Sequence, residues 1–400
     1  MAARRGASSG GPNPAVTAVL AKLAEAVLSS EASQATAASR AIRDAASSSS
    51  SMATTQQIAE AGCVDALITA AHGNAEGGGL GLERTLLCAI AGKLPEHTLA
   101  AIDALAACAT SPIVRGAIAG SGILGMISAV VLSPNSPPGD RAVGIRAAAS
   151  MAFDDDDVAA AAGEERAREF QQLRQQLLST NVCGVVARHV GAMWDGSAAL
   201  LMSDDDDDDD DDDDLEKLLA AAQAEVAQDT LIRAACEAVR IFSRDPSFVE
   251  KMVEEKAASR LLRRLPCPHA ARALKALAAE SPACSDEVLS TAAIRISQAI
   301  QHGDSTSRRE CVATLASALA SATSTGSDTT RRDAAREAAD AAMQDGLAQS
   351  LRRAVVLGGD DTAKEVSRLV EVLSLAGGNQ VARELSAAGV DTAIAQALAG

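Results

Sequence analysis

Tyrosine is absent from this 400-residue chain, tryptophan occurs once and phenylalanine four times. So few aromatic rings leave no platform on which nucleic-acid bases could stack, and a net charge of −17 offers no cation excess to neutralise phosphates. Both absences argue against nucleic-acid binding. The eight cysteines, at positions 63, 88, 108, 183, 236, 267, 284 and 311, form no Cys-x-x-Cys pair, so neither a zinc site nor a redox dithiol is signalled. Most sit among alanine and leucine at helical spacing and are expected to be small buried hydrophobes in a reducing compartment. No uninterrupted apolar run reaches the roughly 18 residues that span a bilayer. The longest, around Ala117 to Leu132, is broken by Gly120, Ser121, Gly122 and Ser128, and reads as core rather than membrane.

Catalytic constellations are missing as well. Gly92-Lys93 is followed by Leu94 where a phosphate-binding loop needs Ser or Thr, and Leu87 stands where its first glycine belongs. Cys267-Pro268-His269 falls at an interhelix break. His72, His189 and His302 lie near predicted helix ends, where an imidazole meets the negative pole. The expectation is a non-enzymatic chain with no cofactor and no metal.

What is present is alanine-rich helix, repeated. From Ala101 to Leu132, Ile102, Leu105, Ala106 and Ala109 fall at helical spacing, and so do Ile123, Ile127 and Val130 to Val131 after a break at Ser121-Gly122. A unit of this kind cannot bury its own apolar face, so it needs stacked neighbours. The layout recurs as IAEAGCVDALITAA from Ile58, MVEEKAASRLLRRL from Met252, MQDGLAQSLRRAVV from Met343 and ELSAAGVDTAIAQAL from Glu384. Weaker copies start at Leu177 and Val288. The turn position holds Gly62, Gly122, Asn181, Lys256, Ala292, Gly346 and Gly389; Gly and Asn tolerate the left-handed backbone at a helix terminus, whereas Lys256 and Ala292 depart from the pattern.

These segments resemble the second and third helices of armadillo repeats, whose pattern runs roughly I-x-E-A-G-G-I-x-x-L-V-x-L-L. IRAACEAVRIFSRDPSFVEKMV, from Ile232 to Val253, is similar to the half that links one repeat to the next. The resemblance implies an all-α, right-handed solenoid over residues 31 to 400; before it, the Gly/Ser/Pro-rich composition predicts a disordered stretch over 1 to 14 and the apolar pattern a capping helix over 15 to 30. It also implies scaffold or adaptor work in a concave groove lined by third helices. Importin-like members repeat W-x-x-x-N on those helices; here Trp194 is followed by Ala198, which disfavours reading of basic nuclear-import signals. The alternative of the same fold class is a chaperone-associated, nucleotide-exchange-type cofactor clasping a globular partner. A cytoplasmic monomer binding protein partners, with no membrane association, is expected; nuclear residence and an organellar transit peptide at the acid-free N-terminus stay open.

Turn spacings of 60, 59, 75, 36, 54 and 43 residues depart from the roughly 40 to 47 of such repeats, so insertions or an unrecognised half-repeat are expected, above all in 72 to 100 and 140 to 230. Polar or glycine-rich connections are expected at Ser47 to Ser51, Gly73 to Gly81 and Ser133 to Asp140. Asp154 to Asp157 would cap a helix from Val158. Eleven consecutive aspartates, Asp204 to Asp214, predict an acidic loop at 203 to 214; without them the net charge falls from −17 to −6. That run reads as a solvated linker or as a docking segment for basic partners, and a uniform run lacks the geometry of a calcium site.

Aligning third helices on the turn residue puts Thr69, Ala129, Arg188, Arg263, Ala299, Arg353 and Gln396 at the expected exposed position. With neighbouring Arg260, Arg264, Arg295 and Arg352, the candidate partner-binding residues are Arg188, Arg260, Arg263, Arg295, Arg352 and Arg353. Guanidinium forks suit carboxylates and phosphates, so the expected ligand is an acidic or phosphorylated segment. The competing reading pairs these arginines with acids on adjacent helices.

Overall fold

A computed structural model describes residues 14–48, 52–73, 80–109, 111–152, 164–191, 211–324 and 329–399. It is all-helical, with no strand among the described residues. Contacts divide the chain into two compact units, Met1–Val182 and Cys183–Gly400. No helix among the described residues is long and apolar enough to cross a membrane.

The first unit holds α1 (Pro14–Val27), α2 (Ala32–Ser48), α3 (Met52–Glu60), α4 (Cys63–Ala71), α5 (Leu80–Ile90), α6 (Glu96–Cys108), α7 (Pro112–Gly120), α8 (Ile123–Leu132), α9 (Pro138–Ala152) and α10 (Glu164–Ser179). In the order that the sequence pattern sets, α2–α3–α4 and α6–α7–α8 stand as first, second and third helices; α3 packs on α4 and α7 on α8. First helices pack on first helices, α2 on α6 and α6 on α9. The core is aliphatic: Ile102, Leu105, Ile123, Met126 and Ile127 are all 1% exposed or less. Each such side chain stabilises by about 1.5 to 3 kcal/mol. The irregular spacing between Gly62 and Gly122 has its cause in α5, an eleven-residue helix outside the triplet pattern. It packs on α8, and Ser133 Oγ donates to Ile90 O at its C-terminus.

The second unit holds α11 (Val182–Gly191), α12 (Asp211–Phe242), α13 (Pro246–Glu254), α14 (Ala257–Arg263), α15 (Pro268–Glu280), α16 (Pro282–Glu287), α17 (Ala293–His302), α18 (Ser305–Thr323), α19 (Thr329–Gln344), α20 (Leu347–Ala387) and α21 (Val390–Ala399). α11 starts on the last residue of the first unit. First helices again pack in series, α12 on α15, α15 on α18 and α18 on α20. Two carboxylates tie such neighbours together. Asp103 accepts from Arg43 at 3.1 Å and Arg146 at 3.0 Å, and Glu310 accepts from Arg272 at 2.8 Å and Arg309 at 3.3 Å.

Several sequence expectations change here. Gly62, Gly122, Gly346 and Gly389 are left-handed, with φ between 75° and 87°, and Lys256 adopts the same turn at φ 56°. The Lys256 boundary is therefore intact despite its side chain; α13 ends there and α14 begins. Ala292 instead lies in a π-helical turn, Val288–Ala292, that carries α16 into α17 without a left-handed break. A π turn inserts one residue into the helical register, which shifts the faces of everything after it. Ala299 is buried in consequence, and the exposed residues of α17 include Arg295 and Gln298. The Asp run is not loop throughout: Asp211 to Asp214 form the first turn of α12. α2 extends through Ser48, and α9 begins at Pro138, inside the two stretches read as loops. The disordered N-terminus, the cap at Asp154 to Asp157, Trp194 and residues 203 to 210 lie outside the described residues.

α20 is three helices in one, bent at Gly359 (φ 65°, ψ −162°) and Gly378 (φ 68°, ψ −156°). That conformation is open essentially to glycine alone. Nothing lies within 4 Å of where a β-carbon would sit at either position, so substitution meets backbone strain and no clash. Gly359→Ala and Gly378→Ala should each lower unfolding stability by about 1 to 3 kcal/mol in urea titrations. Gly125→Ala, in the ordinary helical backbone of α8 with equally open surroundings, should raise it by about 0.5 to 1 kcal/mol. Equal effects of all three changes would show that the bends are unstrained.

Candidate functional site

The third helices differ sharply in charge between the units. In the first, α4 and α8 contain no cation and one acid, Asp65. In the second, α11, α14, α17 and the first arm of α20 (347–358) contain Arg188, Arg260, Arg263, Arg295, Arg352 and Arg353 and no Asp or Glu. Every sequence-identified candidate therefore lies on one type of helix in one unit. Arg188, Arg263, Arg295, Arg352 and Arg353 are exposed, while Arg260 is half-buried.

Local structure holds this arrangement. α11 and α14 touch through Gly191, whose missing β-carbon would stand 3.0 to 3.2 Å from the aliphatic stem of Arg260. Arg264, the C-cap of α14, donates from Nε to Val190 O at 3.0 Å across the same contact. α17 packs on α20, and α20 on α21. α21 adds Gln396 as an exposed amide, together with Asp391.

None of the six arginines enters an ion pair among the described residues. Cations on the first and second helices of the same unit behave differently. Arg233, Arg240, Arg272, Lys275, Arg309 and Arg331 all pair with carboxylates. Arg332, Arg336, Arg368 and Arg383 are also outside ion pairs, but their helices carry acids of their own. Freedom from carboxylates, rather than unpaired arginine alone, marks these four helices; α4 and α21 carry Asp65 and Asp391. Six guanidinium groups outside ion pairs on one type of helix add positive charge to an otherwise acidic protein.

Other candidate chemistry does not gather. Six cysteines are buried, and burial pushes the thiols of Cys108, Cys183, Cys236 and Cys311 up to about 12 and that of Cys63 up to about 11. Cys267 is the N-cap of α15 and is half-buried, beside Pro268 and His269 in the helix's first turn. No group of three or more His, Cys, Asp or Glu among the described residues is placed to hold a metal. His72 caps α4, His189 lies in the last turn of α11, and His302 ends α17.

No family model matches the chain, and no curated protein matches it. Two solved structures described as engineered proteins are similar to it at 13% identity and a TM-score of 0.41 each. One alignment covers 90% of this chain and 98% of the other, and the second covers 88% and 98%.

Proposed function

We propose that this chain is a non-enzymatic, armadillo-like right-handed α-solenoid that scaffolds protein partners. It grips an acidic or phosphorylated segment along the arginine-bearing third helices of its second unit. The carrying observation is the segregation of charge: six arginines without a carboxylate on four third helices, beside first and second helices whose cations are largely consumed in ion pairs. Leaving so many guanidinium groups unpaired costs the free protein electrostatic self-repulsion, and a carboxylate- or phosphate-bearing ligand relieves it. Serial contacts between helices less than about 50 residues apart, and left-handed turns before α4, α8, α14, the first arm of α20 and α21, support the repeat architecture.

The test is a titration of a labelled acidic decapeptide, with and without phosphoserine, against the full chain. Arg188→Ala, Arg263→Ala and Arg353→Ala together should weaken binding at least tenfold and flatten its dependence on salt. All three residues are exposed, so helicity should persist. Unaltered affinity in the triple variant sinks the reading.

A further inference from the structure

A second surface of the same unit, remote in chemistry from the arginines, carries charge of the opposite sign. α13 and the junction of α15 with α16 enclose a cleft of about 520 Å³. Its floor is apolar: Val249, Val253 and Pro282 line it, with Val249 buried and Val253 half-buried. Val253 stays partly open and Pro282 is exposed at the cleft's edge. Pro246, Val249, Glu250, Val253 and Glu254 recur at the spacing of one helical face.

Three carboxylates rim this floor, and two are where a helix least favours them. Glu254 is the last residue of α13 and Glu280 the last of α15, each at the negative pole of its helix. Glu250 stands one turn before Glu254, a like-charge neighbour at i,i+4. Lys251 answers one of the three, meeting Glu254 at 2.7 Å. Glu250 and Glu280 are exposed and enter no ion pair among the described residues. Carboxylate pairs, two helix C-termini and an apolar floor thus converge on one opening with no cation inside it.

We propose that this cleft is a docking site for an arginine side chain on an extended partner segment. The aliphatic stem would lie on Val249, Val253 and Pro282, and the guanidinium would reach Glu250 and Glu280. Arginine fits better than lysine because its planar head is weakly hydrated, tolerates an apolar floor and can fork between two carboxylates. Together with the arginine face, the cleft gives this unit two surfaces that select ligands of opposite sign.

The test uses the full chain and a labelled hexapeptide with a central arginine flanked by leucines, titrated by fluorescence anisotropy at physiological salt. Glu250→Gln with Glu280→Gln should raise the Kd at least tenfold without lowering the melting temperature, since both carboxylates leave unfavourable positions. Ala283→Trp, which fills the opening from its rim, should do the same with the carboxylates intact. Replacing the peptide's arginine by norleucine should abolish binding. Deleting residues 204–210, which removes seven aspartates elsewhere, should leave the Kd within twofold. The proposal is overturned by failure of the hexapeptide to bind, by equal Kd in wild type and the double Gln variant, by equal binding of the norleucine peptide, or by loss of binding on deletion of the Asp run. Because the Arg188, Arg263 and Arg353 triple variant should keep hexapeptide binding, failure here and failure of the arginine face are separate results.

Discussion

Leu105→Asp unfolds the first unit and Val239→Asp unfolds the second, each seen as a lost share of helicity by circular dichroism. Leu105 on α6 and Val239 on α12 are both fully buried. Their spacing in the sequence already marks them as inward-facing. Aspartate at either site forfeits aliphatic packing of about 2 to 5 kcal/mol and strands a carboxylate with no partner, at a further several kcal/mol. The sum rivals the roughly 5 to 15 kcal/mol that holds a whole domain together. Leu375→Asp is the internal control. That leucine is 71% exposed on the middle arm of α20, and its replacement should change stability by no more than about 0.5 kcal/mol. Native melting of both core variants would mean that the apolar stripes have been assigned to the wrong faces.

Deleting residues 204–210 strengthens binding of the acidic decapeptide roughly tenfold or more, and the gain vanishes in the Arg188, Arg263 and Arg353 triple variant. The chain leaves α11 at Gly191, against the stem of Arg260, and re-enters α12 at Asp211, so the intervening aspartates are tethered to the unit that bears the arginines. A tethered anion competes at an effective concentration in the millimolar range for short linkers. The deletion stops at 210 because Asp211 to Asp214 open α12. A tenfold gain corresponds to about 1.4 kcal/mol of relieved competition. Identical affinity with and without the seven aspartates shows that the run never meets the arginine face.

Glycine at a helix terminus announces a left-handed turn because few other residues take that conformation cheaply, so Gly62, Gly122, Gly346 and Gly389 mark their boundaries in the sequence itself. Lys256 takes the same turn without the glycine signal. A lysine can be driven into that conformation at about 1 to 2 kcal/mol when the helices on both sides are buried, as α13 and α14 are through Phe248, Met252, Leu261 and Leu262. The paired glycines at 358–359 and 377–378 were a readable signal that the repeat pattern alone passed over. α5 was less legible: Leu87 and Ile90, two of its largest apolar residues, are more than half exposed while small Ala89 is buried, and glycines precede it where a loop was expected.

By itself the sequence determined the helical class, the buried stripes and the identity of the six arginines. Period 3.6 in apolar residues dictates helices, and guanidinium groups stay charged wherever they sit. Only the tertiary structure decided which charges remain unpaired and which faces are open. Pairing depends on carboxylates far away in sequence, as Glu310 is from Arg272 and Asp286 from Arg331. Exposure depends on register, and the π turn at Val288–Ala292 moved that register by a step that no spacing rule anticipates, burying Ala299 and leaving Arg295 in solvent.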